Sequence, residues 1–165
     1  MILYPFGFIK DQSLQIGQSY QGGKIAYLSS PTSGLIVTDS AISSGAWSSQ
    51  KVFVSTQTSI GSGNQNTTNI RNSSGGNNSG LAAKTCYDLV LNGYSDWYLP
   101  SFDEMQQVYN NRVALGLNTV TGRHWTSSQH PNSGTIFAYA FGFTSGTEHQ
   151  QDKYDALAFF AMRSF

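Results

Sequence analysis

The side chains with most chemical potential in this chain gather late in the sequence. His124, His130 and His149 share one region, with Glu148, Asp152 and Asp155 nearby. Imidazoles and carboxylates together could hold a transition metal. Metal centres, however, use close ligand spacing and carboxylates that orient each imidazole. This pattern fits exposed loop histidines better, so no metal and no cofactor are expected. Cys86 is the single cysteine, which excludes an internal disulfide. It falls on the apolar side of a predicted helix and reads as a small buried hydrophobe, not a nucleophile. Asp96 sits among aromatics, a setting that suits a catalytic carboxylate. Beside Trp97 and before a tight turn, it is expected to accept backbone or indole hydrogen bonds instead. No nucleophile elbow, phosphate loop or dinucleotide fingerprint appears. The chain reads as a non-enzyme.

A recognition surface suits these residues better than a reaction centre. Flat aromatics beside amide and imidazole groups combine stacking with directional hydrogen bonds, as glycan or protein receptors demand. The candidate ligand-binding residues are Trp125, Gln129, His130, Asn132, His149, Gln151 and Tyr154.

The elements that must position them follow from periodicity and punctuation. Lys24–Leu28 and Gly34–Thr38 read as a hairpin closed by the turn residues Ser29–Ser33, and Lys51–Val54 as a further strand. From Ser55 to Gly80 every residue except Ile60, Ile70 and Arg71 is Ser, Thr, Gly, Asn or Gln. That composition predicts a long loop, folded down by two apolar anchors. Leu81–Asn92 shows helical spacing of Leu81, Ala82, Cys86, Leu89 and Val90, with Gly93 as its left-handed stop. A second helix runs from Phe102 to about Arg112, with Phe102, Met105, Val108 and Tyr109 inward. Between them Pro100 forces Leu99 out of the helical region, and Ser101 with Glu104 forms a capping box. His124–Ser128, Thr135–Phe143 and Ala156–Phe165 read as strands, with a turn at Thr144–Thr147 and a polar loop after it. In the middle strand Ile136, Ala138 and Ala140 alternate with Phe137, Tyr139 and Phe141. The order predicts an α+β domain.

Composition bounds the partners. Charged residues form 11% of the chain, against about 25% in an average soluble domain. Nine basic residues balance nine acidic ones, leaving no electrostatic footprint for nucleic acid or an anionic membrane. No run approaches the ~20 apolar residues of a membrane span, so no membrane insertion is expected. Met1–Ile9 is apolar without a basic flank or a small-residue cleavage site, so it does not read as a signal peptide. Segment 1–19, with Tyr4, Phe6 and Phe8, is either an arm that docks on a partner or a first strand. Residues 20–165 read as a single domain. A surface of amides and hydroxyls over an aromatic core suits a virion or extracellular protein.

Several blocks resemble a known family. They run in order from Gly22-Gly-Lys-Ile-Ala-Tyr27 through Gly34-Leu-Ile-Val37, Trp47 and the polar Ile60–Ile70 stretch. The most specific is Gly93-Tyr-Ser-Asp-Trp-Tyr-Leu-Pro-Ser101 with Glu104-Met105, followed by Trp125-Thr-Ser-Ser128 and Met162-Arg-Ser-Phe165. The set is similar to the domain at the C-terminus of the Legionella collagen-like adhesin, a family whose members resemble C-type lectins in fold. The resemblance implies two helices on short antiparallel sheets with long loops, and N- and C-terminal strands that pair. Gly93, Tyr94, Asp96, Trp97, Tyr98, Pro100, Ser101 and Glu104 would then be structural. It further implies display on a phage tail fibre or a bacterial surface, often as a homotrimer, among other virion or fibre subunits. The expected ligand is a host-surface glycan or protein receptor; the alternative is a structural or decoration protein with no ligand. Calcium-dependent lectins supply oxygen ligands from Glu-Pro-Asn or Gln-Pro-Asp and then Trp-Asn-Asp. This chain has neither, and its nearest match, His130-Pro131-Asn132, puts imidazole where a hard cation needs carboxylate. Binding is therefore expected to be calcium-independent. The neighbouring formylglycine-generating enzymes need reactive cysteines, which a lone helical Cys86 does not supply.

Overall fold

The computed structural model describes residues 13–165. Most of the possible docking segment, residues 1–12, lies outside the described residues. Strands β1 (Ser19–Tyr20), β2 (Gly23–Ser30), β3 (Ser33–Val37) and β4 (Ser43–Gly45) come first. Helices α1 (Gly63–Asn72), α2 (Ala82–Asp88), α3 (Phe102–Asn110) and α4 (Arg112–Leu115) follow. The remainder is β5 (Arg123–Gln129), β6 (Phe137–Gly142), β7 (Thr147–Asp152), β8 (Leu157–Phe159) and β9 (Met162–Ser164). The class is α+β, with sheet orders β1-β2-β3-β9 and β4-β8-β5-β6-β7. All pairings are antiparallel except β5 with β8. The N-terminal hairpin therefore pairs with late-chain β9, through Leu35 to Ser164 and Val37 to Met162.

Among the described residues four helices stand where two are predicted, and α1 lies inside the supposed loop. Its buried residues are Gly63, Asn66, Thr67 and Ile70, the i, i+3, i+4, i+7 spacing of an amphipathic helix written almost wholly in polar letters. Glycine is required at 63, because a Cβ there would stand 2.2 Å from a Glu104 oxygen. Of the two supposed anchors, Ile70 is buried and Ile60 is exposed. Helix α2 ends at Asp88, so Gly93 is not its stop. Asn92 and Gly93 both take positive φ, 52° and 84°, within a tight turn that bridges Leu91 to Tyr94. Asn-Gly is the favoured pair for such a turn. Helix α3 starts with the expected capping box: Ser101 Oγ accepts from Glu104 N at 3.3 Å, and Ser101 N donates to Glu104 Oε2 at 2.7 Å. It breaks at Asn111, and Gly116, left-handed at φ 75°, ends the short α4. Residues 51–54 form no strand, whereas the polar loop after the Thr144–Thr147 turn contains edge strand β7.

Two cores flank the sheets. One gathers Trp47, Ile70, Cys86, Trp97, Leu99, Trp125 and Phe159, among others, with Ala138 and Ala140 of β6. The other, beneath α3, holds Met105, Val108, Phe141, Phe143, Phe160 and Met162. The alternation predicted for β6 thus serves both cores, its alanines facing one and Phe141 the other. Every tryptophan indole has a partner: Trp47 donates to Thr126 O at 2.8 Å, Trp125 to Gly45 O at 2.9 Å and Trp97 to Tyr94 O at 3.1 Å. Buried indole N–H groups require this.

Candidate functional site

Lys153 organises the end of the five-stranded sheet where β7 finishes. It follows a strand that ends at Asp152, and its side chain turns wholly inward. The ammonium donates to Val52 O at 2.7 Å, Gln129 Oε1 at 2.7 Å and Gly134 O at 2.8 Å. It lies 4.5 Å from the ring centre of Trp47. Burial lowers its pKa to about 8, which leaves it protonated at neutral pH. A buried ammonium is tolerable only when its protons are accepted, and here each of three has an acceptor. One cation thereby pins segment 51–57, residue 129 and residue 134 together.

The same segment is held by side chains where a strand would use backbone. Gln129 Oε1 also accepts from Val54 N at 2.8 Å, and Gln129 N donates to Thr56 Oγ1 at 2.7 Å. Asn66, buried on α1, clasps Gln57: Nδ2 donates to its carbonyl at 2.7 Å, and Oδ1 accepts from its N–H at 2.9 Å. Outside these clamps opens a cleft of about 290 Å³, lined by Phe53, Val54, Ser55, Thr56, Gln57, Gln129, His130 and Pro131. Phe53 is 69% exposed. The His130 ring leans on Tyr139 at 4.6 Å, and its Nδ1 accepts from Asn132 N at 3.2 Å. The same Nδ1 lies 3.4 Å from Asn132 O, so the Asn132 backbone offers it both a donor and an acceptor. Tyr154, half exposed, covers Lys51, whose ammonium lies 4.6 Å from the ring centre and pairs with Asp152 at 2.5 Å. That pairing, led by the hydrogen bond from Lys51, lowers the Asp152 pKa.

The candidate ligand residues separate into three groups. Gln129, His130, Asn132 and Tyr154 belong to this end of the sheet, Gln129 as a clamp. His149 and Gln151 lie along β7 instead: His149 pairs with Ala140 and reaches Ser145 at the far turn, while Gln151 accepts from Arg123 at 2.8 Å. Trp125 is wholly buried and has no surface to offer a ligand, because β5 lies between β8 and β6 in the sheet. The reading of three exposed loop histidines is likewise corrected. His124 is buried on β5, 5.1 Å from Phe160 and 4.8 Å from Phe143, with Nδ1 lacking a partner among the described residues. Burial lowers its pKa to about 4. His130 is 8% exposed, and His149 is partly covered. Among the described residues no three His, Cys, Asp or Glu side chains converge on one point. Cys86 is buried in the core, and burial pushes its thiol well up.

The 93–101 block makes a second polar centre. Asp96 does not bind an indole: the neighbouring Trp97 indole donates to Tyr94 O instead. The Asp96 carboxylate takes a two-pronged ion pair from Arg163 of β9, Nε to Oδ1 at 2.7 Å and Nη2 to Oδ2 at 2.9 Å. That hydrogen bonding lowers the Asp96 pKa against a smaller opposing effect of burial. Arg163 also donates to Gln21 Oε1 at 2.8 Å and covers the Tyr94 ring at 4.1 Å. Tyr98 and Met162 exchange backbone hydrogen bonds at 2.8 and 2.9 Å. A cleft of about 360 Å³ lies nearby, lined by residues 19–23, Asp39 and Asn92. Its Gln21 is already engaged by Arg163, and Asn92 donates to Gly22 O at 2.8 Å. The 290 Å³ cleft is therefore the better candidate: it alone of the two joins an outward aromatic to an imidazole.

The signal missed in the sequence is segment 53–57, which supplies most of that cleft. Its one cue is Phe53, an aromatic just ahead of a long uncharged stretch. Compared with known proteins, the chain matches no family model and no curated protein.

Proposed function

We propose that this chain is a non-enzymatic recognition module of a virion or extracellular surface, with a C-type-lectin-like fold, that binds a host receptor without calcium. The observation that carries the reading is the cleft between residues 53–57 and 129–131, with Phe53 turned to solvent and the His130 imidazole in its lining. Exposed aromatics on loops fixed by a rigid frame are a recurrent form of binding surface. Independence from calcium is supported by Lys153, whose ammonium cross-links three loop segments in the manner of a bound cation. The fold assignment is supported by the meeting of two resemblance blocks: Asp96 and Tyr98 of the first join Arg163 and Met162 of the last. Assembly as a homotrimer with other virion or fibre subunits belongs to the same proposal. No helix among the described residues is long and apolar enough to cross a membrane.

The test is binding of the purified protein to intact bacterial cells, with and without EDTA. Saturable attachment unaffected by EDTA, and lost on substitution of His130, Asn132 or Tyr154 in a folded protein, is the expected result. Attachment abolished by EDTA would overturn the calcium-free mechanism. A folded sample that attaches to nothing would favour a structural packing role.

A further inference from the structure

We propose that the cleft beneath Phe53 takes a neutral saccharide unit, stacked by its C–H face on Phe53 and hydrogen-bonded through its hydroxyls to His130 and the 55–57 side chains. This rests on the recognition reading and specifies its ligand. The first ground is charge: Phe53, Val54, Ser55, Thr56, Gln57, Gln129, His130 and Pro131 include no lysine, arginine, aspartate or glutamate. An acidic ligand would lack a fixed cation to meet it, since the nearby Lys153 ammonium is buried and already has three acceptors.

The second ground is the set of free groups. His130 lines the cleft with Nδ1 taken up by the Asn132 backbone, and its Nε2 makes no hydrogen bond among the described residues. Thr56 Oγ1 accepts from Gln129 N and keeps its own proton to donate. Ser55 and Gln57 line the cleft, and their side chains make no hydrogen bond among the described residues. Hydroxyl and amide groups that donate and accept match sugar hydroxyls, which do both. The third ground weighs against an added peptide strand. That mode needs unpaired backbone, yet Val54 N, Ser55 O and both Gln57 groups are bound by Gln129, Asn69 and Asn66. At about 290 Å³ the open cleft lies at the small end of ligand sites, near ~300 Å³, which suits one saccharide unit more than a long chain.

The test is an amide and imidazole NMR titration of the full chain. The probes are glucose, galactose, mannose, rhamnose, N-acetylglucosamine and N-acetylgalactosamine, with glucuronic and sialic acids as charged controls. At least one neutral sugar should shift the 53–57 and 129–130 amides and the His130 ring saturably. Phe53→Ala should weaken that binding about tenfold, while Phe53→Trp keeps it. No saturable shift at the cleft with any neutral sugar, equal binding by Phe53→Ala, or preference for the acidic sugars would overturn the inference. Cell attachment that survives periodate oxidation of surface sugars but not protease treatment would sink the saccharide and leave the receptor reading standing. Sugar binding without any cell attachment would do the reverse.

Discussion

The two polar centres of this molecule are built on opposite plans. Around Asp96 and Arg163, backbone pairing comes first: Tyr98 and Met162 exchange hydrogen bonds, and the ion pair seals a junction already made. Around Lys153, segment 51–57 pairs with no strand, and side chains from α1, β5 and the loop after β7 supply the partners. The first plan fastens a sheet to a motif and leaves little surface unclaimed. The second holds an irregular segment in place while its outer side chains stay free. Irregular backbone held this way can present function without weakening the frame.

The comparison breaks most readily at Lys153. Lys153→Met should destabilise the protein by about 3 to 5 kcal/mol, because three buried acceptors lose their donor. Urea unfolding with intrinsic fluorescence measures it; a loss under about 1 kcal/mol would mean that the loops hold themselves. Next comes acid. His124 titrates near pH 4 in the fold and near 6.5 unfolded, so the folded state binds fewer protons between those values. The His124 contribution to stability should be constant above about pH 6.5 and fall as pH drops toward 4, by about 3 kcal/mol in all. His124→Gln should flatten that window; an unchanged slope would assign acid sensitivity to other groups. Arg163→Ala should cost about 1 to 2 kcal/mol, discounted because Asp96 is half exposed while Arg163 is not. Asp96→Asn would cost less, and the pair's coupling follows from a double-mutant cycle. The smallest effect on stability belongs to Phe53→Ala, within about 0.5 kcal/mol. If it destabilised strongly, Phe53 would be part of the frame and not a contact surface.

Much of the frame is legible in the sequence where periodicity is written in apolar letters. The β2–β3 hairpin, the inner face of α3 and the Ser101–Glu104 box all follow from spacing and capping chemistry. Helix α1 escapes that reading because its buried face is Gly63, Asn66, Thr67 and Ile70. Hydrophobicity carries no period there, although burial does. Tertiary contacts make the difference: Asn66 serves the backbone of Gln57, and Thr67 accepts from Leu99 N at 3.0 Å. Edge strand β7, Thr-Glu-His-Gln-Gln-Asp, is masked for a related reason, since a polar edge reads as a loop. The candidate site was half legible. His130, Asn132 and Tyr154 declare themselves by type, but segment 53–57 joins them through tertiary hydrogen bonds with Asn66, Asn69, Ser128 and Gln129, which no local pattern announces. Trp125 shows the converse: an aromatic in the right stretch whose register points inward.

Strands β8 and β9, separated only by Phe160 and Ala161, belong to different sheets, and β8 lies inside its sheet between β4 and β5. During synthesis neither sheet can close until residues 157–164 have left the ribosome. The hairpin β2–β3 and the β5–β6–β7 meander can assemble earlier, but each waits with an open edge. Folding is thus gated by a late, nonlocal step, which favours slow acquisition of the native state. A nascent chain stalled before residue 157 would carry two sticky sheets and no means of joining them.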